Sequence, residues 1–248
     1  MHGTARLRAV AVQQQGKKRE ISIRGRKFEA VRLVLPVETI NPVLLIDHFW
    51  MDKPTFPPHK HAGIAALSIM FEDSECGFSN RDSFKLGDRI IAPGELQWTI
   101  SNKGIVHEEI PDPAKPGKTA HGAQILMNIP EASKLDKPQV IHLNQEDIPV
   151  LTPSEGARVR VLSGSQFGLS PETKKRMKPP IDITLLDCIL KPSAVLDLEI
   201  PEGRVAWAMV IKGSGSTTTM RCTEEGGLKE DQQNKQQEQQ QQQQQQSL

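Results

Sequence analysis

The sequence predicts an all-β protein whose antiparallel sheets close into a barrel or sandwich. Short segments rich in Val, Ile and Leu follow one another along the chain, and Gly, Pro, Asn and Asp separate them. The 248 residues include 18 glycines and 18 prolines, which suits a plan with many turns. Helical periodicity is scarce. We therefore expect many short strands and very little helix.

The individual elements follow from local patterns. Residues 195–200 alternate most cleanly, with three apolar side chains on one face and Asp197 and Glu199 on the other. That alternation predicts a half-buried antiparallel strand. Only residues 170–177 predict a helix, with Ser or Pro at its start and a basic last turn. Six other segments have the length and composition of strands: 31–37, 42–50, 65–71, 89–91, 125–129 and 158–162.

Composition and charge argue against several function classes. A formal net charge of +1 gives no general attraction to nucleic acid or to an anionic membrane, so neither is an expected direct partner. The apolar runs at 43–46 and 205–211 are far shorter than the ~20 residues of a membrane helix. The N-terminus lacks the apolar core of a secretion signal, and the three widely spaced cysteines form no Cys-x-x-Cys motif. We expect reduced thiols and an intracellular location.

The two ends of the chain differ in composition from its middle. Residues 1–27 carry eight Lys or Arg residues against the single acid Glu20, which predicts a solvated basic leader with a first strand; the alternative is a nucleic-acid patch or a nuclear signal. Residues 214–248 end in an uninterrupted glutamine run at 239–246. Such a run has no apolar side chains with which to offset the entropy of ordering, so we expect a disordered tail.

Two short motifs carry the main functional signal. His59 and His61 are one residue apart, and His107 and Glu109 repeat that spacing 46 residues after His61. On a strand, residues i and i+2 point to the same face, so each pair presents two ligands side by side. If the two strands face each other inside a barrel, three imidazoles and one carboxylate converge. This ligand set predicts a transition-metal site rather than a calcium or magnesium site.

Several longer motifs together resemble the pirin family. They occur in the family's order and at its distances, and the resemblance covers about residues 28–213. It implies a bicupin, in which two antiparallel double-stranded β-helix (cupin) barrels lie in one chain and the first holds a single metal. The motifs are residues 45–49, 58–63, 80–83, 93–98, 104–109, 121–130 and 161–164.

The resemblance also implies domain bounds and ligands. Carried over residue by residue, the family's metal ligands fall on His59, His61, His107 and Glu109, whereas Glu108 takes the variable middle position. The first barrel would span residues 28–165. Residues 166–213 would form a truncated second barrel, since its strands at 183–190, 195–200 and 205–211 are followed by the low-complexity tail where a complete pirin has more strands.

By the same resemblance, we expect one Fe(II) ion per chain, with other first-row divalent metals as alternatives. The implied activity is flavonol (quercetin) 2,3-dioxygenase, with a small aromatic flavonol and dioxygen as substrates and Glu109 as the catalytic base. The alternative is a nuclear, redox-sensitive transcription co-regulator that binds a transcription factor without turnover, so the location would be cytoplasmic, nuclear or both. Gln97 and Trp98 are candidates for lining the pocket above the metal, with the barrel core as the expected place of Trp98, and His121 is a candidate for supporting the metal site.

Overall fold

The computed structural model describes most of the chain between residues 28 and 214. It gives 28–33, 40–86, 88–164, 181–198, 200, 204, 206 and 208–214 in full, and the backbone alone of 8–9, 19–23, 26–27, 205, 220–222 and 228–230. Two compact units contain these residues, one of 16–197 and the other of 1–15 with 198–248. Among the described residues, no helix is both long and apolar enough to span a membrane.

Eighteen strands and two 3-10 helices, Glu131–Ser133 and Gln145–Asp147, make up the described secondary structure. The strands are β1 Arg8–Ala9, β2 Arg19–Ile23, β3 Arg26–Leu33, β4 Val43–Met51, β5 Phe56–His61, β6 Ile64–Met70, β7 Phe78–Asp82, β8 Arg89–Ile91, β9 Leu96–Ile100, β10 Ile105–Pro111, β11 Ala120–Asn128, β12 Gln139–Leu143, β13 Val150–Leu151, β14 Ala157–Ser163, β15 Leu185–Leu190, β16 Val205–Ala206, β17 Met220–Cys222 and β18 Leu228–Glu230.

Two antiparallel sheets of the larger unit face each other and form the barrel. One has seven strands in the order β12-β9-β6-β11-β4-β3-β2, and the other has four in the order β5-β10-β7-β8. Aromatic rings meet across the gap, since the ring centroids of Phe49 and Phe78 are 5.4 Å apart and those of Phe28 and Phe56 are 5.1 Å apart. The predicted all-β, antiparallel cupin architecture is confirmed.

An apolar cluster between these sheets forms part of the core. Its members come from both sheets, and side chains such as Phe78 and Met70 are fully buried. Burying one such side chain contributes about 1.5–3 kcal/mol. The cluster therefore holds the two sheets together. It comprises Phe28, Ala30, Phe49, Met51, Met70, Cys76, Phe78, Ile91 and Ala120.

One glycine allows β11 to lie against β6. A Cβ atom on Gly122 would be 2.3 Å from the backbone oxygen of Ile69, which is closer than a real Cβ atom approaches any heavy atom. Glycine is therefore required for the close contact between these strands. The contact places Gln124, two residues further along β11, directly opposite Ser68 of β6.

All six strand segments predicted from composition lie on observed strands, with bounds shifted by a few residues where described. The strand predicted at 195–200 is wrong for its described residues, which are irregular and leave Val195 and Leu198 exposed. Alternation alone does not make a strand, because a strand also needs a hydrogen-bonded neighbour. Among the described residues of the strand predicted at 205–211, only those of β16 form a strand. The helix predicted at 170–177 lies outside the described residues.

The remaining sheets are small. Strand β14 pairs antiparallel with β13 on one side and with β15 on the other. In the other unit, β1 pairs parallel with β16 and β17 pairs antiparallel with β18. Most of the predicted tail lies outside the described residues, apart from residue 214 and the backbone of these last two strands. The predicted domain boundaries after residues 27, 165 and 213 stay predictions.

Candidate metal centre

Neighbouring strands β5 and β10 carry the four predicted ligands. His107 lies directly opposite His59 in the antiparallel register, and Ile105 lies opposite His61. The two motifs are expected on strands that face each other across a barrel, but these strands are hydrogen-bonded partners in one sheet. Residues in register share a face, so this arrangement also brings the side chains together. A bulge between His107 and Glu109 moves Glu109 opposite Phe56.

Three imidazoles form a compact cluster. The Nε2 atoms of His59 and His61 are 3.0 Å apart, and the ring of His107 has its centroid 4.5 Å from that of His59 and 4.9 Å from that of His61. One ring nitrogen from each residue lies within 4.8 Å of the others. Two ligands held at about 2.1 Å from one ion at a right angle are also about 3 Å apart. The spacing of the cluster therefore fits a shared metal ion.

Hydrogen bonds on the far side of two rings orient their Nε2 atoms. His59 Nδ1 donates to the backbone oxygen of Pro57 at 3.0 Å, and His107 Nδ1 donates to Asn80 Oδ1 at 3.0 Å. Each bond places the ring proton on Nδ1 and leaves a lone pair on Nε2, which is how metal-binding histidines are usually held. His107 Nε2 is buried and has no hydrogen-bond partner within the described part of the chain. A metal ion would satisfy this buried atom.

Glu109 places a buried carboxylate beside the three imidazoles, but it lies outside the group of ligand atoms that are all within 4.8 Å of one another. Its Oε2 atom lies 3.8 Å from His107 Nε2, and its side chain is almost completely buried. Ser68 Oγ donates to Oε1 at 2.9 Å, and Gln124 Nε2 contacts Oε1 at 2.9 Å and Oε2 at 2.7 Å. Both donors come from the opposite sheet. The carboxylate therefore bridges the two sheets beside the imidazoles.

The electrostatics favour the protonation states that a metal requires. Burial is the largest influence on the pKa of Glu109 and raises it, but His107, the Gln124 amide, His59 and the Ser68 hydroxyl together lower it below its ordinary value. Burial, followed by the neighbouring His107 and His59, lowers the pKa of His61 to about 4. Burial likewise lowers the pKa of His107. An ionised carboxylate and neutral imidazoles are the ligand forms of these groups.

Comparison with known proteins places this barrel in a family. Residues 29–127 match the family model of pirin. Human pirin is 31% identical over 185 residues, which cover 71% of this chain and 58% of the human protein. The chain belongs to the pirin family. The resemblance read from the sequence motifs is thereby confirmed.

Two further similar proteins extend the comparison. A Thermoplasma acidophilum protein, provisionally named a quercetin 2,3-dioxygenase, is 29% identical over 179 residues, covering 64% of each chain. A crystal structure from Geobacillus kaustophilus superposes with a TM-score of 0.60 at 28% identity, covering 78% of this chain and 72% of that one. The chain thus spans less than two thirds of the length of human pirin and of the Thermoplasma protein.

The other residues that the pirin motifs singled out differ in whether they lie near the metal centre. Glu108 points away from the cluster, where its carboxylate lies 3.4 Å from Arg81. Trp98 is buried in the core, as expected. His121 does not support the metal centre, because its ring bonds His48 at 2.8 Å and Asp73 at 2.7 Å. The expectation that His121 supports the metal site is therefore wrong. The reason is that residue 121 lies on the opposite face of β11 from Gln124, which contacts Glu109.

Three supporting residues of this pirin site were not predicted. Asn80 orients His107, whereas Ser68 and Gln124 hold Glu109. Asn80 and Gln124 lie within motifs that the sequence comparison had used, but nothing in their spacing assigned them a role. Ser68 lies in an apolar strand, where a single hydroxyl between buried aliphatic residues was the available signal.

Proposed function

We propose that this pirin-family chain is a metal-dependent flavonol 2,3-dioxygenase with one iron(II) ion held by His59, His61, His107 and Glu109. The observation that carries the proposal is the convergence of three imidazole nitrogens beside a buried carboxylate, one of these nitrogens being buried and without a hydrogen-bond partner among the described residues. Nitrogen and carboxylate ligands that leave coordination positions open are typical of iron(II) oxygenases. The provisional name of the Thermoplasma relative supports the substrate class.

Bound at this centre, iron(II) would supply the redox and Lewis-acid chemistry that dioxygen and a flavonol need in order to react. The chain's own residues provide ligands in the correct protonation state, because the lowered pKa values of His61 and His107 keep both rings neutral at pH 7. The apolar cluster between the same two sheets provides a core that excludes water. Water exclusion protects a reactive substrate anion from competing reactions.

Glu109 is the candidate proton acceptor as well as a ligand. A flavonol must lose the proton of its 3-hydroxyl before the central ring can react with dioxygen. Glu109 is ionised and lies inside the site, so it can accept that proton. Its lowered pKa makes it a weak base, but a hydroxyl conjugated with a carbonyl is a comparatively acidic donor. Ser68 and Gln124 fix the direction of the carboxylate.

The proposal predicts a defined stoichiometry. One flavonol and one dioxygen molecule should give one ring-opened ester and one carbon monoxide, so that all atoms of both substrates are retained in the products. The test is to add quercetin in air to the iron-loaded full chain, and to follow the loss of flavonol absorbance together with the carbon monoxide released. A His59→Ala variant given the same iron controls for turnover by free metal.

Loss of flavonol with equimolar carbon monoxide in the wild type, but not in the variant, is the expected result. No carbon monoxide from iron-loaded wild-type protein would contradict the proposal. That outcome would favour the co-regulator alternative, which uses the same four residues without turnover. A transcription-factor partner stays a prediction.

A further inference from the structure

A row of polar side chains crosses the face of the seven-stranded sheet that looks toward β10. Strand register defines the row, because residues directly opposite each other on neighbouring strands share a face. Ser68 and Gln124 belong to it, and both reach Glu109 on the opposite sheet. The row therefore lies on the inner face of the sheet, with its Arg32 end exposed. From β3 to β12 its members are Arg32, Asp47, Gln124, Ser68, Gln97 and His142.

Within the described part of the chain, every member of this polar row except Gln97 has a side-chain partner. Arg32 and Asp47 pair with each other, with contacts of 2.7 and 2.6 Å. His142 lies 3.0 Å from Glu95 Oε2. Gln97 is 1% exposed, and neither polar atom of its amide, Nε2 or Oε1, has a hydrogen-bond partner among the residues that the structure describes. An unpaired buried amide destabilises a fold, so its presence calls for a physical reason.

The position of Gln97 supplies that reason. Gln97 is the direct partner of Ser68 on the next strand, and paired residues have Cα atoms about 5 Å apart. Since Ser68 touches Glu109, the Gln97 amide is one strand away from the carboxylate of the metal centre. A three-ring aromatic with one end at Glu109 is longer than one strand spacing. A ligand that extends from Glu109 across Ser68 is therefore long enough to contact Gln97.

We propose that Gln97 is a substrate-binding residue of this site, whose amide hydrogen-bonds a hydroxyl-bearing aromatic of the flavonol class. An amide both donates and accepts, which suits a ligand that carries carbonyl and hydroxyl oxygens on one rigid ring system. The inference rests on the proposed function and names the chain's own group that recognises the substrate. Gln97 would contact the substrate itself, away from the reacting atoms.

The proposal predicts that removing the Gln97 amide weakens flavonol binding without destabilising the fold. Gln97→Met keeps the length of the side chain and removes both polar atoms. Without a ligand, the variant should unfold at the same temperature as the wild type or at a higher one, because a buried unpaired amide has been replaced by an apolar group. With a flavonol, it should bind at least about tenfold more weakly, since the ligand's polar oxygens then lose their partner.

The experiment measures three quantities on the full chain: the metal content, the thermal midpoint, and the dissociation constant for quercetin on iron-loaded protein without oxygen. Gln139→Met is the matched control, because it removes an exposed amide at the start of β12. The expected result for Gln97→Met is unchanged iron, no loss of thermal midpoint and weaker quercetin binding. Gln97→Leu, which has a different shape, should reproduce the binding loss.

Two results would overturn the inference alone. If wild type and Gln97→Met bind quercetin equally well, the amide holds at most a buried water. If both Gln97 variants lose several degrees of thermal midpoint together with their iron, the amide is structural. Wild-type protein that does not bind quercetin would overturn both this inference and the proposed function.

Discussion

Gln124 is expected to stabilise the fold through Glu109. Its amide nitrogen contacts both carboxylate oxygens, at 2.9 and 2.7 Å, and the carboxylate is almost completely buried. Hydrogen bonds to charged groups contribute about 1.5–3 kcal/mol each. One nitrogen makes both contacts, so we count them as a single hydrogen bond at the upper end of this range. Gln124→Met should therefore lower the free energy of unfolding by about 3 kcal/mol. In a unit of this size, that loss corresponds to a fall of roughly 6–12 °C in thermal midpoint.

The assay is thermal unfolding of the metal-free protein, followed by metal titration. Removing the donor should also raise the pKa of Glu109 and weaken metal binding by about 10–100-fold, as is typical when a ligand loses its hydrogen-bond partner. Gln139→Met again serves as the exposed control. In a Glu109→Gln background, the effect of Gln124→Met should shrink, because the charge it supports is gone. A midpoint within about 1 °C of wild type, or equal effects in both backgrounds, would refute this reasoning.

Three further predictions concern the metal ligands. His61→Ala should reduce iron occupancy at least about tenfold at a fixed low iron concentration, and elemental analysis showing undiminished iron would remove His61 from the ligand set. Glu109→Gln should lower quercetin turnover by about 10²–10⁴-fold while metal content falls much less, whereas equal losses would make Glu109 a ligand alone. Metal-free protein should lose stability as the pH falls from 6.5 toward 4, because the unfolded chain protonates His61 before the folded one does. Discounted for partial exposure, the free energy of unfolding lost through His61 is about 2 kcal/mol at the acid end of this range. His61→Gln should therefore lose less thermal midpoint than the wild type between pH 7.5 and 4.5. An equal loss in both proteins would show that His61 is not responsible.

The part of the candidate site that could be predicted from the sequence is the part that depends on the spacing of neighbouring residues. The i, i+2 pairs at His59 and His107 are visible because strand alternation depends on neighbouring residues only. Ser68 and Gln124 could not be found this way, since their approach to Glu109 depends on how two sheets face each other. The same limit explains why the two motif strands were expected to face each other when they are adjacent in one sheet.

The fold, too, could be predicted from the sequence only where local composition decides the structure. Segments such as β4 and β6 were recognised because an apolar strand buried on both faces has a distinctive composition. Residues 195–200 alternate better than either, yet their described part is irregular. An alternating pattern shows only that the side chains would suit a strand with one buried face. Whether a strand forms also depends on a partner strand, which the local pattern does not contain.

The most direct test of the central claim is X-ray absorption at the iron edge of the iron-loaded full chain. We expect one iron per chain, an inner shell of nitrogen and oxygen atoms, and outer-shell scattering from three imidazoles. His107→Ala should lose one imidazole from that signal, because its buried Nε2 atom is held toward the other two rings. A spectrum without imidazole scattering, or one that His107→Ala leaves unchanged, would contradict the claim that this histidine cluster holds the metal.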